Sequence, residues 1–115
     1  MATLVRQRTV DATLCVPPHW SVEVANLIVS ARRRGRLNDA QQRAAGTLAN
    51  TLVATADVHA APPPAALVAF AQAEQLTAYD AAYVDLALRL ECPLITEDRA
   101  MANTARRLGV DVVTL

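Results

Sequence analysis

Three carboxylates stand at the starts of helical patterns that follow apolar strands or turn signals. Glu23 falls in the first turn of a helix after the strand Ala12–Val16, and Asp98 follows directly on the strand Leu94–Thr96. Asp80 sits between two tyrosines in L-T-A-Y-D-A-A-Y, in the first turn of a third helix. In open parallel α/β sheets, the carboxyl ends of the strands and the adjoining helix starts form the crevice where ligands bind. That topology puts Glu23 and Asp98 on one rim, and Asp80 joins them if its helix begins there. Carboxylates converging in a cleft do not all stay ionised without a cation. Hard oxygen donors with few His or Cys nearby suit Mg²⁺ or Mn²⁺. Such an ion polarises a phosphoryl oxygen and makes hydroxide from water, the chemistry of nucleases that hydrolyse phosphodiesters.

Capping competes with that reading. An acid in a first turn interacts with the helix dipole by about 0.3–1 kcal/mol, and Thr77-Ala78-Tyr79-Asp80 has capping-box spacing with Asp in place of Glu. Glu23 is harder to explain so. Its helix, W-S-V-E-V-A-N-L-I-V-S, is apolar almost all round and is expected to be largely buried. Glu23, Asn26 and Ser30 form one polar line along it, which either faces a wet crevice or carries a costly buried charge. Tyr79, Tyr83, Leu86 and Leu90 form an expected core stripe beside Asp80. Asp85, about 140° round the helix from Asp80, reads as a surface residue.

The elements that must position these residues follow from pattern and punctuation. Ala2–Val10 has loosely helical spacing and is read as a short helix or the tail of one. The strand Ala12–Val16 stops at Pro17-Pro18. A helix then runs from Ser21, a plausible N-cap, to Arg34, with Gly35 as its C′ residue. Asn38 or Asp39 caps a second helix reaching about Leu52, and a short strand is expected around Asp57-Val58-His59. After Pro62-Pro63-Pro64 come a helix Ala65–Glu74, a helix Ala78–Leu90 capped by Thr77, and a strand Pro93–Thr96. A helix Glu97–Leu108 stopped by Gly109 and a strand Val110–Leu115 complete the chain. Short apolar strands alternating with helices predict an α/β domain with a parallel sheet.

Composition narrows the classes. At 115 residues with 53% hydrophobic residues, the chain is sized for one domain with a single core. Zero formal net charge argues against a strongly basic nucleic-acid surface. All eleven basic residues are Arg, which with the abundant Ala reflects coding bias rather than phosphate geometry. Cys15 and Cys92 lie in apolar runs with no C-x-x-C, and read as reduced core thiols. No signal peptide or membrane span is legible, so a soluble cytoplasmic protein is expected.

Other residues invite roles. Ala31-Arg-Arg-Arg-Gly-Arg36 and Arg106-Arg107 end helices, where cations suit the dipole; RNA or protein contact is the alternative. Arg99 adjoins Asp98 and is a candidate phosphate contact. His19 and His59 lack base-partner spacing and read as loop or packing positions. Trp20 fits a hydrophobic staple, and aromatics at 3% argue against a single-strand base-stacking surface. No Gly-rich phosphate loop is present.

P-P-H-W-S-V-E-V-A-N (17–26), L-T-A-Y-D-A-A-Y (76–83), P-L-I-T-E-D-R (93–99) and L-G-V-D-V-V (108–113), taken in order, resemble a PIN domain, closest to the VapC-like toxin ribonucleases of bacterial toxin–antitoxin pairs. The resemblance spans nearly all of the chain from about Asp11 onward. It implies a three-layer fold with a parallel sheet flanked by helices. It also implies a metal site of Glu23, Asp80 and Asp98 supported by Asn26 and Thr96, a Mg²⁺- or Mn²⁺-dependent endoribonuclease activity, a cognate antitoxin and a homodimer. The chain departs from the pattern at its start. The family opens on a central strand ending in an acid, and Val10-Asp11-Ala12-Thr13 only mimics that turn, because Asp11 is too close to Glu23 for the intervening helices. The first, central strand and its Asp are therefore expected to be absent, with residues 1–115 a single, N-terminally truncated PIN-like domain, or the gap closed by rearrangement or a partner chain.

Two functions compete. One is a metal-dependent ribonuclease using Glu23, Asp80 and Asp98 with water as nucleophile. The other is a catalytically inactive, truncated PIN domain that binds an antitoxin or itself.

Overall fold

The computed structural model describes residues 2–7 and 12–114. In chain order its elements are β1 (Ala2–Gln7), β2 (Ala12–Val16), α1 (Trp20–Arg33), α2 (Asp39–Thr55), β3 (Asp57–Val58), α3 (Pro64–Glu74), α4 (Ala78–Leu90), β4 (Leu94–Thr96), α5 (Arg99–Arg107) and β5 (Val112–Val113). They fall into two compact units, Met1–Pro18 with Asp57–Leu115, and His19–Ala56.

The first unit is built on a five-stranded sheet in the order β3-β2-β1-β4-β5. β2 pairs parallel with β3, and β4 with β5, as alternating strands and helices require. The central position is not vacant. Ala2–Gln7, read from its spacing as helical, is the middle strand, antiparallel to both neighbours, with Leu4 opposite Cys15 on one side and Leu94 on the other. The parallel sheet expected from sequence is therefore mixed, four strands running one way and β1 against them. A hairpin arm closes the gap that the departure at the start of the chain implied. The turn containing Asp11 lies outside the described residues.

The core of this unit is centred on α4. Ala81, Ala82, Tyr83, Val84, Leu86 and Ala87 are all buried, so this helix is covered on most of its circumference. Cys15 and Val16 of β2, Leu94 of β4, and Met101, Ala102 and Ala105 of α5 are buried with them. Each large apolar side chain in such a core contributes about 1.5–3 kcal/mol. The Thr77 hydroxyl accepts the Asp80 N–H at 3.1 Å and caps the helix as expected. Tyr79 does not belong to the core stripe, being 65% exposed, and Leu90 is half-buried.

The second unit is a helical hairpin. Asn38 caps α2 in a reciprocal box, its side chain accepting the Gln41 N–H at 2.8 Å and the Gln41 side chain accepting the Asn38 N–H at 2.9 Å. Arg32 ties the turn by donating to the Leu37 carbonyl at 3.0 Å and pairing with Asp39. Gly35 stands in the left-handed region at φ 72°, as a C′ residue should. Two expectations fail. The residue before α1 is His19, without a side-chain cap bond, rather than Ser21. Nor is α1 largely buried: among its residues only Trp20 is, and Val22, Leu27 and Val29 are 68%, 50% and 41% exposed. α2 buries none of its residues. An apolar circumference is thus a poor guide to burial here, and the polar line Glu23–Asn26–Ser30 loses its argument from cost.

Candidate functional site

β4 ends on Thr96, whose side chain is almost wholly buried (1% exposed). A buried hydroxyl needs a partner, and Oγ1 finds it two residues on, accepting the Asp98 N–H at 3.0 Å. That turn sets Asp98 as the N-cap of α5, with Oδ1 accepting the Met101 N–H at 2.9 Å. Asp98 was expected inside the first turn of a helix starting at Glu97; it precedes the helix instead. The consequence is a carboxylate whose orientation is fixed by backbone, with Oδ2 accepting no hydrogen bond among the described residues. Asp98 opens on a cleft of about 500 Å³ that Glu97, Arg99, Asn103 and Arg106 also line.

Asp80 is half-buried in the first turn of α4. α4 leads into β4 through the three-residue connection 91–93, so helix and strand run in opposite senses. Its start is consequently directed toward the end of β4 from which α5 departs. Topology thus brings Asp80 and Asp98 to the same edge of the sheet. The third residue at that edge is Ala2, which faces Thr96 across the β1–β4 ladder. No residue of β1 is acidic, and its reversed direction places its first residue, not its last, at this edge.

Glu23 belongs to the helical hairpin, where it is half-buried and pairs with His19 Nε2 at 3.1 Å. His19, read from sequence as a loop position, therefore lies against the carboxylate one helical turn away. Asn26 is exposed and Ser30 half-buried on the same helix. Asp85, expected to be a surface residue, is half-buried and ion-pairs with Arg89 at 2.6 Å, while Arg89 also donates to the Ala60 carbonyl at 3.1 Å. The two arginines at the end of α5 separate in role: Arg107 pairs with Glu74 at 2.7 Å, whereas Arg106 lines the Asp98 cleft together with Arg99.

Sequence reasoning missed one group entirely. Cys15, Asp57 and His59 bring one ligand atom each to within 4.8 Å of one another. The only legible hint was the alternation Asp57-Val58-His59, which puts both polar residues on one face of a strand.

Among curated protein sequences nothing matches this chain. Among solved structures, the crystal structure of PAE2754 from Pyrobaculum aerophilum is similar, with a TM-score of 0.72 and 24% identity over 86% of this chain. The chain spans 65% of that protein's length, and at this identity the likeness speaks for the fold alone. The family profile of the PIN domain matches residues 2–107, from the first residue of β1 to the last of α5. With the α/β fold in agreement and the match covering nearly all of the chain, this protein belongs to the PIN domain family, a family of nucleases.

Proposed function

We propose that the chain is a divalent-metal-dependent endoribonuclease of the VapC-like toxin kind, acting in the cytoplasm beside a cognate antitoxin and as a homodimer, with Glu23, Asp80 and Asp98 as the acids that hold Mg²⁺ or Mn²⁺. The observation that carries the reading is the Thr96–Asp98 turn. A carboxylate fixed by two backbone-linked hydrogen bonds, with one oxygen uncommitted, is a pre-oriented ligand for a hard cation. PIN domains are typically dependent on divalent metals, and the oxygen donors of Asp80 and Asp98 suit that class. Such an ion supplies phosphoryl polarisation and an ionised water. Arg99 and Arg106 beside Asp98 offer guanidinium donors to a phosphodiester backbone. Asn26 and Thr96 are the supporting polar groups, Thr96 acting through the backbone of Asp98. No described helix is long and apolar enough to cross a membrane.

One observation favours the second reading, a catalytically inactive PIN module that binds an antitoxin or a second copy. The central strand, A-T-L-V-R-Q, brings no acid to the edge where Asp98 lies. A site lacking that ligand holds its ion less tightly.

Cleavage of a labelled structured RNA by the purified chain, in Mn²⁺ and in EDTA, beside Asp98→Asn and Asp80→Asn, decides between them. Metal-dependent cleavage lost in both variants supports the nuclease. A folded chain that cleaves nothing supports the binding module. Cleavage that survives both substitutions rejects the proposed site.

A further inference from the structure

Cys15 lies on β2 and Asp57 on β3, and the parallel register makes them direct neighbours. His59 lies two residues beyond Asp57, on the same face of the chain, and its N–H donates to the Val16 carbonyl at 2.9 Å, continuing the ladder past the strand's end. A thiol, a carboxylate and an imidazole therefore meet on one side of a two-strand edge, with their ligand atoms within 4.8 Å of one another. The Nε2 atom of His59 is buried and has no hydrogen-bond partner. A buried imidazole nitrogen left unpaired is unfavourable, so something of the right chemistry should satisfy it.

We infer that Cys15, Asp57 and His59 form a binding site for a borderline-soft divalent cation of the Zn²⁺ or Co²⁺ class, separate from the acid site at the end of β4. The donor set decides the class. Thiolate and imidazole select Zn²⁺ and Co²⁺ over Mg²⁺ and Mn²⁺, which prefer oxygen throughout. Tetrahedral Zn²⁺ with bonds of about 2.0–2.3 Å separates its ligand atoms by about 3.5 Å. The group must contract by about 1 Å from its 4.8 Å limit, which rotation of the Asp57 and His59 side chains supplies. Asp57 on the edge strand and His59 just past its end are both half-buried, which gives the ion an entry, whereas Cys15 is fully buried. That burial also argues against Cys15 as a nucleophile toward a substrate. Binding takes the thiol proton into solvent and leaves a metal-bound thiolate. The fourth position falls to water. The ion would clip β3, only two residues long, onto β2.

The test is a Co²⁺ titration of the tag-free chain, read by the thiolate-to-cobalt charge-transfer band and repeated with Zn²⁺ as competitor. The chain has two Cys and two His, so four variants assign the thiolate and imidazole ligands. The wild type, Cys92→Ser and His19→Ala should show the band and lose it when Zn²⁺ is added. Cys15→Ser should lack it, and His59→Ala should weaken binding at least tenfold. Zn²⁺ should raise the melting temperature of the wild type but not that of Cys15→Ser, whereas Mg²⁺ should not distinguish the two. Absence of the band in the wild type overturns the inference without recourse to any variant. So does a band that survives Cys15→Ser or disappears in a folded Cys92→Ser.

Discussion

The backbone N–H of Asp98 donates to the hydroxyl of Thr96, 3.0 Å away, across the turn that ends β4. Thr96 is among the most buried residues of the chain, while Asp98 is exposed, so the pair joins the core to the candidate site through one bond. Asp98 has two separable duties, capping α5 and presenting a carboxylate oxygen. Asp98→Asn retains a good cap and should leave the melting temperature nearly unchanged, whereas Asp98→Ala should lose about 1 kcal/mol of stability. Thermal melts of both, set beside RNA cleavage, separate the duties. An Asn variant as unstable as the Ala variant would mean that the charge itself holds the turn.

Thr96→Val keeps the shape of the side chain and removes its oxygen. The Asp98 N–H then loses its partner beside a buried site, at a cost of about 1–3 kcal/mol. Thr96→Ser retains the oxygen and loses only a methyl group, so it should preserve the turn and retain cleavage where Val does not. Equal loss from both substitutions would locate the effect in packing rather than in the hydrogen bond.

β2 flanks β1 along Leu4–Gln7 and β4 flanks it along Ala2–Leu4, so Leu4 has a strand partner on both sides. Proline at Leu4, opposite both Cys15 and Leu94, removes a donor inside the sheet. Leu4→Pro should shift the urea midpoint by the equivalent of about 1–3 kcal/mol or more. If it behaves like the wild type, residues 2–7 do not occupy the centre of the sheet in solution.

The ends of α4 were legible in the sequence, and local chemistry shows why. Thr77 before the apolar run and Pro93 after it bracket the helix by local chemistry alone, and Ala78–Leu90 is found between them. β1 was not legible, since A-T-L-V-R-Q carries no period of its own and becomes a strand through its two neighbours. Exposure was misjudged for the same reason: apolar composition predicts burial only if something covers the helix, and composition does not reveal the cover. At the candidate site, Asp98 could be found because it follows its strand in sequence. The group Cys15–Asp57–His59 could not, because parallel register joins segments that a whole helical hairpin separates.

Glu91 ends α4 in the left-handed region at φ 51°, and its N–H donates to the Ala87 and Leu88 carbonyls. A side chain there costs about 1–2 kcal/mol relative to glycine, partly offset by the greater freedom of glycine in the unfolded chain. Glu91→Gly should therefore raise the melting temperature. Gly109, at φ 87° with nothing within 4 Å of a Cβ placed on it, should show the opposite sign on substitution by Ala from backbone strain alone. Two shifts of the same sign would refute the assignment of the left-handed geometry.

α2 is seventeen residues long and buries none of them, whereas α4, at thirteen, buries six. Isolated helices of this length are marginal in water, so most helical stability must come from packing. α2 faces α1 across a shallow groove lined by Val24, Ala25 and Ile28 of α1 and by Ala49 and Val53. The amides of α2 should therefore exchange with solvent deuterium well before those of Ala81–Ala87, through local opening rather than global unfolding. Asn38→Ala, which breaks the capping box, should speed α2 exchange several-fold while leaving α4 protection in place. Equal protection of α2 and α4 in the wild type would show that the exposed faces of the hairpin are covered in solution, and a dependence of that protection on protein concentration would identify the cover as a second copy of the chain.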